Sequence, residues 1–278
     1  MGKVGVCGSM NMDVFGYVER LPRPGETLTG DRLLYAPGGK GANQAVAAAR
    51  AGADVAFHAA CGRDGFGDRL IEALTQDGID LSGVVRVDDP TGVALILVER
   101  GGENQIVVLP GANRRVDGPA ADGDVTVWVT QAEIPPAAAE AVLAAARATG
   151  ATAIVNPAPA GNLPGDLVAR FDIAIVNETE LDALGEHRAP TTVLTLGAAG
   201  TRVLPDGPIL PAFPAAVVDT TGAGDALVGA LAAGLAEGLP LDGALRLGMA
   251  TASLAVEREG CQPAMPRRAE VDRRLAGG

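Results

Sequence analysis

The residues best suited to chemistry in this chain form the run Asp219-Thr220-Thr221-Gly222-Ala223-Gly224-Asp225. The run of small residues ends in a carboxylate, and an apolar helical pattern follows at once. Free N–H groups and the dipole at a helix start favour an anion, and glycine lets the backbone approach phosphate oxygens closely. The pattern predicts a phosphoryl-transfer site in which Asp225 takes a proton from an attacking hydroxyl group. The structural alternative is a tight turn followed by an acidic partner of the helix dipole.

A second glycine-rich stretch, Gly38-Gly39-Lys40-Gly41-Ala42-Asn43, precedes a helix of small residues. It is not a Walker A loop, because Gly41 follows Lys40 where that motif needs Ser or Thr. Lys and Asn at a helix start can bind several hydroxyl groups together. A glycine-rich turn that allows close helix packing is the simpler interpretation of this stretch taken alone.

Polar side chains follow several predicted strands. Asn11 and Asp13 come after the first strand and Glu133 after a later one. A carboxylate can accept two hydroxyl protons, which suits neighbouring hydroxyl groups of a sugar. Asn11 and Asp13 are also common turn residues.

The stretch Asn177-Glu178-Thr179-Glu180 ends one predicted strand and opens a helix. One interpretation places Asn177 against a phosphate and Glu180 in the outer shell of a hydrated Mg²⁺ ion, which keeps several waters. The other treats these residues as ordinary helix caps and dipole partners.

Short β-branched runs alternate with Ala-rich helical stretches, which predicts a mainly parallel sheet covered on both faces. Ligands of such sheets bind beyond the carboxyl ends of the strands. The predicted strands are Val4–Cys7, Val55–Ala60, Val125–Val129, Thr152–Asn156, Ile173–Asn177 and Thr191–Leu196. The predicted helices are Asn43–Ala51, Gly67–Asp77, Ala137–Thr149, Ala223–Leu235 and Asp242–Val256.

Two segments break this rhythm and predict antiparallel hairpins. They are Asp13–Val18 with Leu28–Leu34, and Val93–Glu99 with Gln105–Leu109. We expect them to form a small separate sheet that covers a ligand, pairs with another subunit, or does both. The alternative is that they are edge strands of the main sheet.

Composition narrows the class of protein further. A net charge of −12 disfavours binding to nucleic-acid backbones, where affinity comes from Lys and Arg. The three cysteines are far apart and lack C-x-x-C spacing, which favours a reducing compartment, the cytoplasm, over a disulfide scaffold or a zinc site. No apolar stretch reaches 18 residues, so we expect no membrane span.

Taken together, these segments resemble the ribokinase-like (PfkB) carbohydrate kinase family, and its ribokinase branch most closely. The similarity runs nearly end to end. The motifs that carry it are Gly8–Asp13, Pro24–Thr27, Gly38–Ala47, Thr91–Leu95, Gly111–Asn113, Asn156–Ala160, Asn177–Glu180, Thr195–Gly197, Asp219–Asp225 and Gly260–Pro263.

The resemblance implies a three-layer α/β/α fold with a β-sheet lid. The core would comprise residues 1–12, 36–90 and 110–278, and the lid residues 13–35 and 91–109. It further implies ATP-dependent phosphorylation of D-ribose at the 5-hydroxyl group, with Mg²⁺ and K⁺ as cofactors and a homodimer formed through the lid. Related family members that act on fructose, a sugar acid or a nucleoside remain the alternative, and a catalytically silent sugar-binding protein is a further one.

The resemblance also assigns roles to individual residues. Ribose would be bound by Asn11, Asp13, Gly39, Lys40, Asn43, Glu133 and the base Asp225. ATP would contact Asn177, Thr195, Gly197, Gly200, Gly222, Ala223, Gly224, Asp225 and Met249. Glu180 would hold Mg²⁺ through water, and the K⁺ site would map to Asp219, Thr221, Ala255, Arg258, Gly260 and Ala264.

Three features depart from the family pattern. Ala264 stands where the ribokinase branch commonly has Ser, and Met249 where a His near adenine is common. Only fourteen residues separate Glu180 from Thr195. The family normally has a longer, helix-bearing segment there, so we expect a trimmed wall on the nucleotide side.

Overall fold

The protein contains two β-sheets, one large and one small, in a computed structural model that describes residues 2–277. The strands in chain order are β1 Lys3–Cys7, β2 Asn11–Val18, β3 Arg32–Gly38, β4 Asp54–Gly62, β5 Asp80–Val87, β6 Gly92–Glu99, β7 Asn104–Leu109, β8 Val125–Gln131, β9 Thr152–Asn156, β10 Ile173–Val176, β11 Thr191–Thr195, β12 Thr201–Leu204 and β13 Ile209–Leu210. The α-helices are α1 Lys40–Arg50, α2 Gly65–Gln76, α3 Pro136–Thr149, α4 Gly165–Val168, α5 Glu178–Leu184, α6 Ala223–Glu237, α7 Leu241–Ala255 and α8 Arg268–Gly277. Short 3₁₀ helices span Gly111–Arg115, Gly197–Ala199 and Gln262–Ala264.

The large sheet has the strand order β13-β12-β11-β10-β9-β8-β1-β4-β5. Its strands pair in parallel from β11 through to β5, and β12 and β13 add antiparallel pairs at one edge. Successive side chains of β8 point to opposite faces. Val127 and Val129 join the buried cluster that includes α1, α6 and α7, whereas Trp128 joins the cluster that includes α3. Helices therefore cover both faces, which confirms the predicted three-layer α/β/α fold.

The small sheet has the order β3-β2-β6-β7 and is hydrogen-bonded separately from the large one. Strands β2 and β6 pair in parallel at its centre, and β3 and β7 pair antiparallel at its edges. The prediction of a second small sheet is confirmed, and the alternative of edge strands on the main sheet is excluded. The hairpin of β6 and β7 lies where the sequence placed it.

The predicted partner of β2 was wrong in position. The sequence pattern placed this strand at Leu28–Leu34, whereas β3 spans Arg32–Gly38. Pro37 and Gly38 read as strand breakers in a sequence, but an edge strand tolerates them because one side of it needs no partner. The pairing runs from Asn11 opposite Gly38 to Tyr17 opposite Arg32, which brings the Gly38–Asn43 stretch to the root of the small sheet.

Helix α1 begins at Lys40, three residues before the predicted start, with Gly39 as its N-cap at a φ of 90°. A Cβ on Gly41 would lie 2.6 Å from backbone atoms of Gly8 and Ser9. The start of α1 therefore packs directly on the loop after β1. Gly41 serves this close packing, as the simpler interpretation of the stretch predicted. Within residues 2–277, no helix is long and apolar enough to cross a membrane.

Candidate active site

The candidate site lies at the carboxyl edge of the large sheet, where the chain order switches direction. From β1 the chain continues to β4 on one side, and β8 returns on the other side. Ligand crevices of open α/β sheets form at such switch points. A hydrogen bond joins the loop after β1 to the loop after β8, since Ser9 Oγ donates to Glu133 Oε2 at 2.5 Å. The backbone N–H of Lys40 donates to the same oxygen at 3.2 Å.

Asp225 lies in the first turn of α6 and is 6% exposed. Two consecutive side chains of α1 hold its carboxylate. Asn43 Nδ2 donates to Oδ2 at 3.0 Å, and Gln44 Nε2 donates to Oδ1 at 2.9 Å. The packing of α1 against α6 thus places a buried carboxylate beside the Gly38–Asn43 stretch, although the two are far apart in sequence.

Buried amide side chains surround these bonds. Asn43 Oδ1 accepts from Gln262 Nε2 at 3.0 Å, so both ends of the Asn43 amide are engaged. Gln44 Oε1 accepts from Gln131 Nε2 at 2.6 Å, and Gln44 Nε2 also donates to Asn156 Oδ1 at 3.3 Å. Gln44, Gln131, Asn156 and Gln262 were not predicted as site residues. The signal that could have found them is a polar residue at a position where the element pattern demands an apolar one.

Asn11 and Asp13 lie at the root of β2, on the same face of the small sheet. Asn11 Oδ1 accepts from Asn113 Nδ2 at 2.7 Å, which fixes the orientation of the amide. Burial raises the pKa of Asp13 to about 7, and the nearby carboxylates of Glu133 and Asp225 add to the effect. The site therefore contains an acid that changes its charge near neutral pH.

Lys40 supplies positive charge among these acids. The negative charge of Asp225 raises the pKa of the Lys40 ammonium, burial opposes the shift, and Glu133 and Glu180 reinforce it. Lys40 stays protonated as a result. One ammonium group, three carboxylates and several amides make a site that can bind many hydroxyl groups of a polyol.

The loop before α6 has the backbone conformation of an anion site. Gly222 has a φ of 77°, and a Cβ there would lie 2.2 Å from Cys261 Sγ, so only glycine fits. Within residues 2–277, the N–H groups of Gly222 and Gly224 donate to no protein acceptor. The N–H of Ala223 donates to the Thr220 carbonyl oxygen at 3.2 Å, so it is already engaged in a turn.

The predicted nucleotide residues follow β10 and β11, further along the same edge. Asn177 caps α5: its Oδ1 accepts from Glu180 N at 2.8 Å, while Glu180 Oε2 accepts from Asn177 N at 2.9 Å. Thr195 Oγ1 donates to the Val176 carbonyl oxygen at 3.2 Å. Between these two sites the chain holds only the rest of α5 and a short connection to β11.

Met249, Gly197 and Gly200 lie at the same end of the sheet. Met249 is buried, and its Sδ accepts from Thr201 Oγ1 at 3.3 Å. Gly197 and Gly200 have φ values of 54° and 110° in the turn between β11 and β12. A Cβ on Gly200 would lie 1.9 Å from the Leu210 carbonyl oxygen, so this turn also requires glycine.

Two regions could hold metal ions. Both Glu180 carboxylate oxygens accept from Asn177, which leaves Glu180 suited to a water-mediated contact with Mg²⁺ rather than to direct ligation. In residues 2–277, no cluster of three or more His, Cys, Asp or Glu side chains could hold a metal ion. A magnesium ion here would therefore depend mostly on the oxygens of its nucleotide.

The second region joins the loop before α6 to the turn after α7. Asp219 Oδ1 accepts from Thr221 N at 2.9 Å, and Asp219 Oδ2 accepts from Gly260 N at 2.9 Å. Burial opposes ionisation, but these hydrogen bonds outweigh it and hold the Asp219 pKa below its usual value. Asp219 and Thr221 thus lie beside the segment that carries Ala255, Arg258 and Gly260, and Ala264 lies in the following 3₁₀ helix. Carboxylate and carbonyl oxygens are the donors a hard cation such as K⁺ prefers.

Comparison with known proteins supports this fold. The family model for pfkB family carbohydrate kinases matches residues 1–268. A ribokinase from Haemophilus influenzae is 37% identical over 96% of each chain. The crystal structure of ribokinase from Thermotoga maritima superposes with a TM-score of 0.90 at 32% identity, covering 99% of this chain and 100% of that one. The Arabidopsis thaliana ribokinase complexed with ribose and ATP gives a TM-score of 0.90 at 31% identity, covering 99% of this chain and 98% of that one.

The fold and the matched relatives define a sugar kinase. The chain belongs to the pfkB family of carbohydrate kinases.

Proposed function

We propose that this kinase transfers the γ-phosphoryl group of ATP to the 5-hydroxyl group of D-ribose and forms ribose 5-phosphate. The observation that carries the proposal is the position of Asp225. It is a buried carboxylate at the start of α6, between backbone N–H groups without protein acceptors and a set of side chains that suit a polyol. The relatives named ribokinase support ribose as the sugar.

The sugar would lie between the root of the small sheet and the start of α1. Asp13 and Glu133 accept its hydroxyl protons, and Lys40 and the second N–H of Asn43 donate to its oxygens. Asn11 contributes from β2, and Gly39 lets the start of α1 pack against the backbone of Met10 and Asn11. These residues approach from different elements, so a ring with hydroxyl groups on several carbons satisfies them best.

In the reaction, Asp225 accepts the proton of the 5-hydroxyl group as the hydroxyl oxygen attacks the γ-phosphorus in line, and the bond from that phosphorus to the bridging oxygen breaks so that ADP leaves. The N–H groups of Gly222 and Gly224 donate to the charged oxygens of the group in transfer. Ala223 joins them once its turn bond to Thr220 lengthens. Glu180 would hold Mg²⁺ through water, which would neutralise charge on the nucleotide phosphates, and Asp219 and Thr221 would help to hold K⁺, which would add positive charge near the anion site.

The nucleotide would extend along the carboxyl edge of β10 and β11. Asn177 faces its phosphates, Thr195 and Gly197 line the adjoining pocket, and Gly200 shapes the turn behind it. Met249 offers an apolar contact to the base. The protein would act in the cytoplasm, where ATP is supplied.

The test is the variant Asp225→Asn. We expect ribose and ATP to bind with similar affinity while kcat falls by about 10³-fold or more, because the amide cannot accept the proton and general-base catalysis is lost. The matched control is Asp242→Asn, which removes the exposed first-turn acid of α7 and should leave kcat unchanged. Near-normal turnover of Asp225→Asn would remove the base assignment and favour the helix-dipole role.

A panel of sugars, sugar acids and nucleosides assayed for ADP release tests the substrate. A nucleoside needs an aromatic surface for its base. Phe15 and Tyr17 of the small sheet stack on each other with ring centroids 6.5 Å apart, and Tyr35 packs on Phe66 of α2. A faster reaction with another acceptor would replace ribose. Ribose binding without ADP formation, with Mg²⁺ and K⁺ present, would favour a silent sugar-binding protein.

We also propose that the small sheet acts as a lid and pairs with a second copy of the chain. All six residues of β7 are exposed, including Ile106 at 54% and Val107 at 56%. An exposed apolar edge strand is a surface that proteins normally cover. A second copy of the same sheet would cover it and complete a homodimer.

A further inference from the structure

We propose that Gln44 is the positioning residue that fixes the carboxylate plane of Asp225 for proton transfer. Gln131, at the end of β8, orients the amide of Gln44. The inference rests on the proposed role of Asp225 as the base. It adds two residues to the machinery, neither of which contacts substrate.

The first observation is that Gln44 and Asn43 hold different oxygens of one carboxylate. Gln44 donates to Oδ1 at 2.9 Å and Asn43 to Oδ2 at 3.0 Å. The terminal torsion of an Asp side chain has a broad energy profile, so the carboxylate plane is set by its hydrogen bonds. Two donors on opposite oxygens fix that plane, and one donor would leave it free to rotate.

The second observation is that Gln44 is 0% exposed. It cannot reach a ligand in the cavity, whereas Asn43, at 7% exposed, retains a free N–H that can serve the sugar. Asn43 would contact both the sugar and Asp225, whereas Gln44 contacts Asp225 and not the sugar. Its effect on catalysis must pass through that carboxylate.

The third observation is that the neighbours permit only one orientation of the Gln44 amide. Asn156 Nδ2 donates to the Ile175 carbonyl oxygen at 2.9 Å, which turns Asn156 Oδ1 toward Gln44 Nε2. Gln131 Nε2 donates to Gln44 Oε1 at 2.6 Å. Both protons of Gln44 Nε2 are thus directed to acceptors, one of which is Asp225. A flipped amide would place an oxygen against the carboxylate and break all three contacts.

The fourth observation is that this arrangement sacrifices stability. Gln131 Oε1 is buried and has no hydrogen-bond partner among the residues that the structure describes. A Cβ on Gly8 would lie 2.0 Å from it, so the loop after β1 approaches this oxygen closely without donating to it. An unsatisfied buried oxygen costs free energy of folding, and such groups call for a functional reason. Holding Gln131 Nε2 on Gln44 is that reason.

The test is a double-mutant cycle on the full chain with ribose and ATP. Gln44→Met keeps the length of the side chain and removes its donors. We expect kcat to fall by about 10- to 100-fold, the range that loss of alignment produces, while both KM values change by less than about twofold. In the Asp225→Asn background the same substitution should change kcat by less than about twofold, since no base remains to be aligned.

Thr192→Val is the matched control. It removes a buried hydrogen bond, from Thr192 Oγ1 to the Ala189 carbonyl oxygen at 3.1 Å, on a strand away from Asp225. Its kcat should stay at the wild-type value. If Gln44→Met does not fold, Gln131→Met is taken through the same cycle and should lower kcat by about 3- to 10-fold, since it loosens Gln44 without removing it.

Three outcomes distinguish the alternatives. A normal kcat for Gln44→Met, or for Gln131→Met if that variant replaces it, overturns the inference and leaves the base assignment in place. An equal fall in kcat in the Asp225→Asn background shows a general structural defect and also overturns it. Full activity of Asp225→Asn by itself removes the proposed function, on which the inference depends.

Discussion

At the scale of single residues, Asp13 makes sugar binding dependent on pH. Burial, and then the charges of Glu133 and Asp225, raise its pKa to about 7. Only the ionised form accepts two hydroxyl protons. We therefore expect the KM for ribose to rise as pH falls below about 7, with little change in the KM for ATP. Steady-state kinetics between pH 5.5 and 8.5 would measure both KM values. A ribose KM that stays constant below pH 7 would contradict the prediction.

The same shift sets the sign of a stability effect. The folded protein holds the Asp13 proton more tightly than the unfolded chain, where the pKa is near 3.8. The free energy of unfolding should therefore fall as pH rises from about 4 to about 7, as far as Asp13 determines it. Asp13→Asn is the control for both effects, because it should remove this contribution to stability and the pH dependence of the ribose KM.

The sequence predicted the charged residues of the site better than the amides of Gln44 and Gln131. Asp225, Asp13 and Glu133 stand out because each is an acid placed after a predicted strand or at the start of an apolar helix. Gln44 and Gln131 are polar residues at positions where the element pattern calls for apolar ones, but the pattern alone does not show what they contact. Only the packing of α1 on α6 shows that they converge on Asp225.

At the scale of elements, Arg50 ties three parts of the fold together. From the end of α1 its guanidinium group makes two bonds of 2.8 Å to Asp77, the cap of α2. It also donates to the carbonyl oxygens of Gln262 and Met265 at 2.6 and 3.0 Å. Because Gln262 in turn holds Asn43, this one side chain links the helix ends to the candidate site.

We expect Arg50→Met to lower the free energy of unfolding by about 3 kcal/mol or more, because it leaves the nearly buried Asp77 without its closest partner. The matched control is Arg268→Met. Arg268 pairs with Glu237 and Asp272 at the surface, where such pairs contribute about 1 kcal/mol or less. Urea denaturation of both variants measures the difference. Equal losses would show that the buried position of Arg50 carries no extra stability.

The strands that the sequence misplaced or missed, which are β3, β5, β12 and β13, lie at an edge of their sheet or next to one. β3 and β5 are edge strands, and β5 carries Asp80, Ser82 and Arg86 among its apolar residues. An edge strand needs to be apolar on less of its surface than a central one, so its pattern is weak. The central strands, buried on both faces, were located to within a few residues.

At the scale of the whole molecule, the small sheet exposes apolar side chains that the proposed second copy would cover. Ile106 and Val107 point to opposite faces of β7, and Ile106 shares its face with Phe15 and Asp13. If a second copy pairs with this sheet, Ile106→Lys or Val107→Lys should convert the dimer to a monomer. Light scattering after size exclusion would show which face is used.

Glu103→Lys, in the exposed turn between β6 and β7, is the control for the added charge and should stay dimeric. A monomeric wild-type protein at micromolar concentration would contradict the proposed homodimer. So would a dimer that survives both substitutions in β7.

Strand β2 carries Asp13 at its root and continues outward into the sheet that the second copy would cover. Self-association and sugar affinity would then be reciprocal: the factor by which pairing tightens ribose equals the factor by which ribose tightens pairing. Dilution alone would lower the affinity for ribose. Saturating ribose would keep the dimer associated at protein concentrations where the ligand-free dimer dissociates.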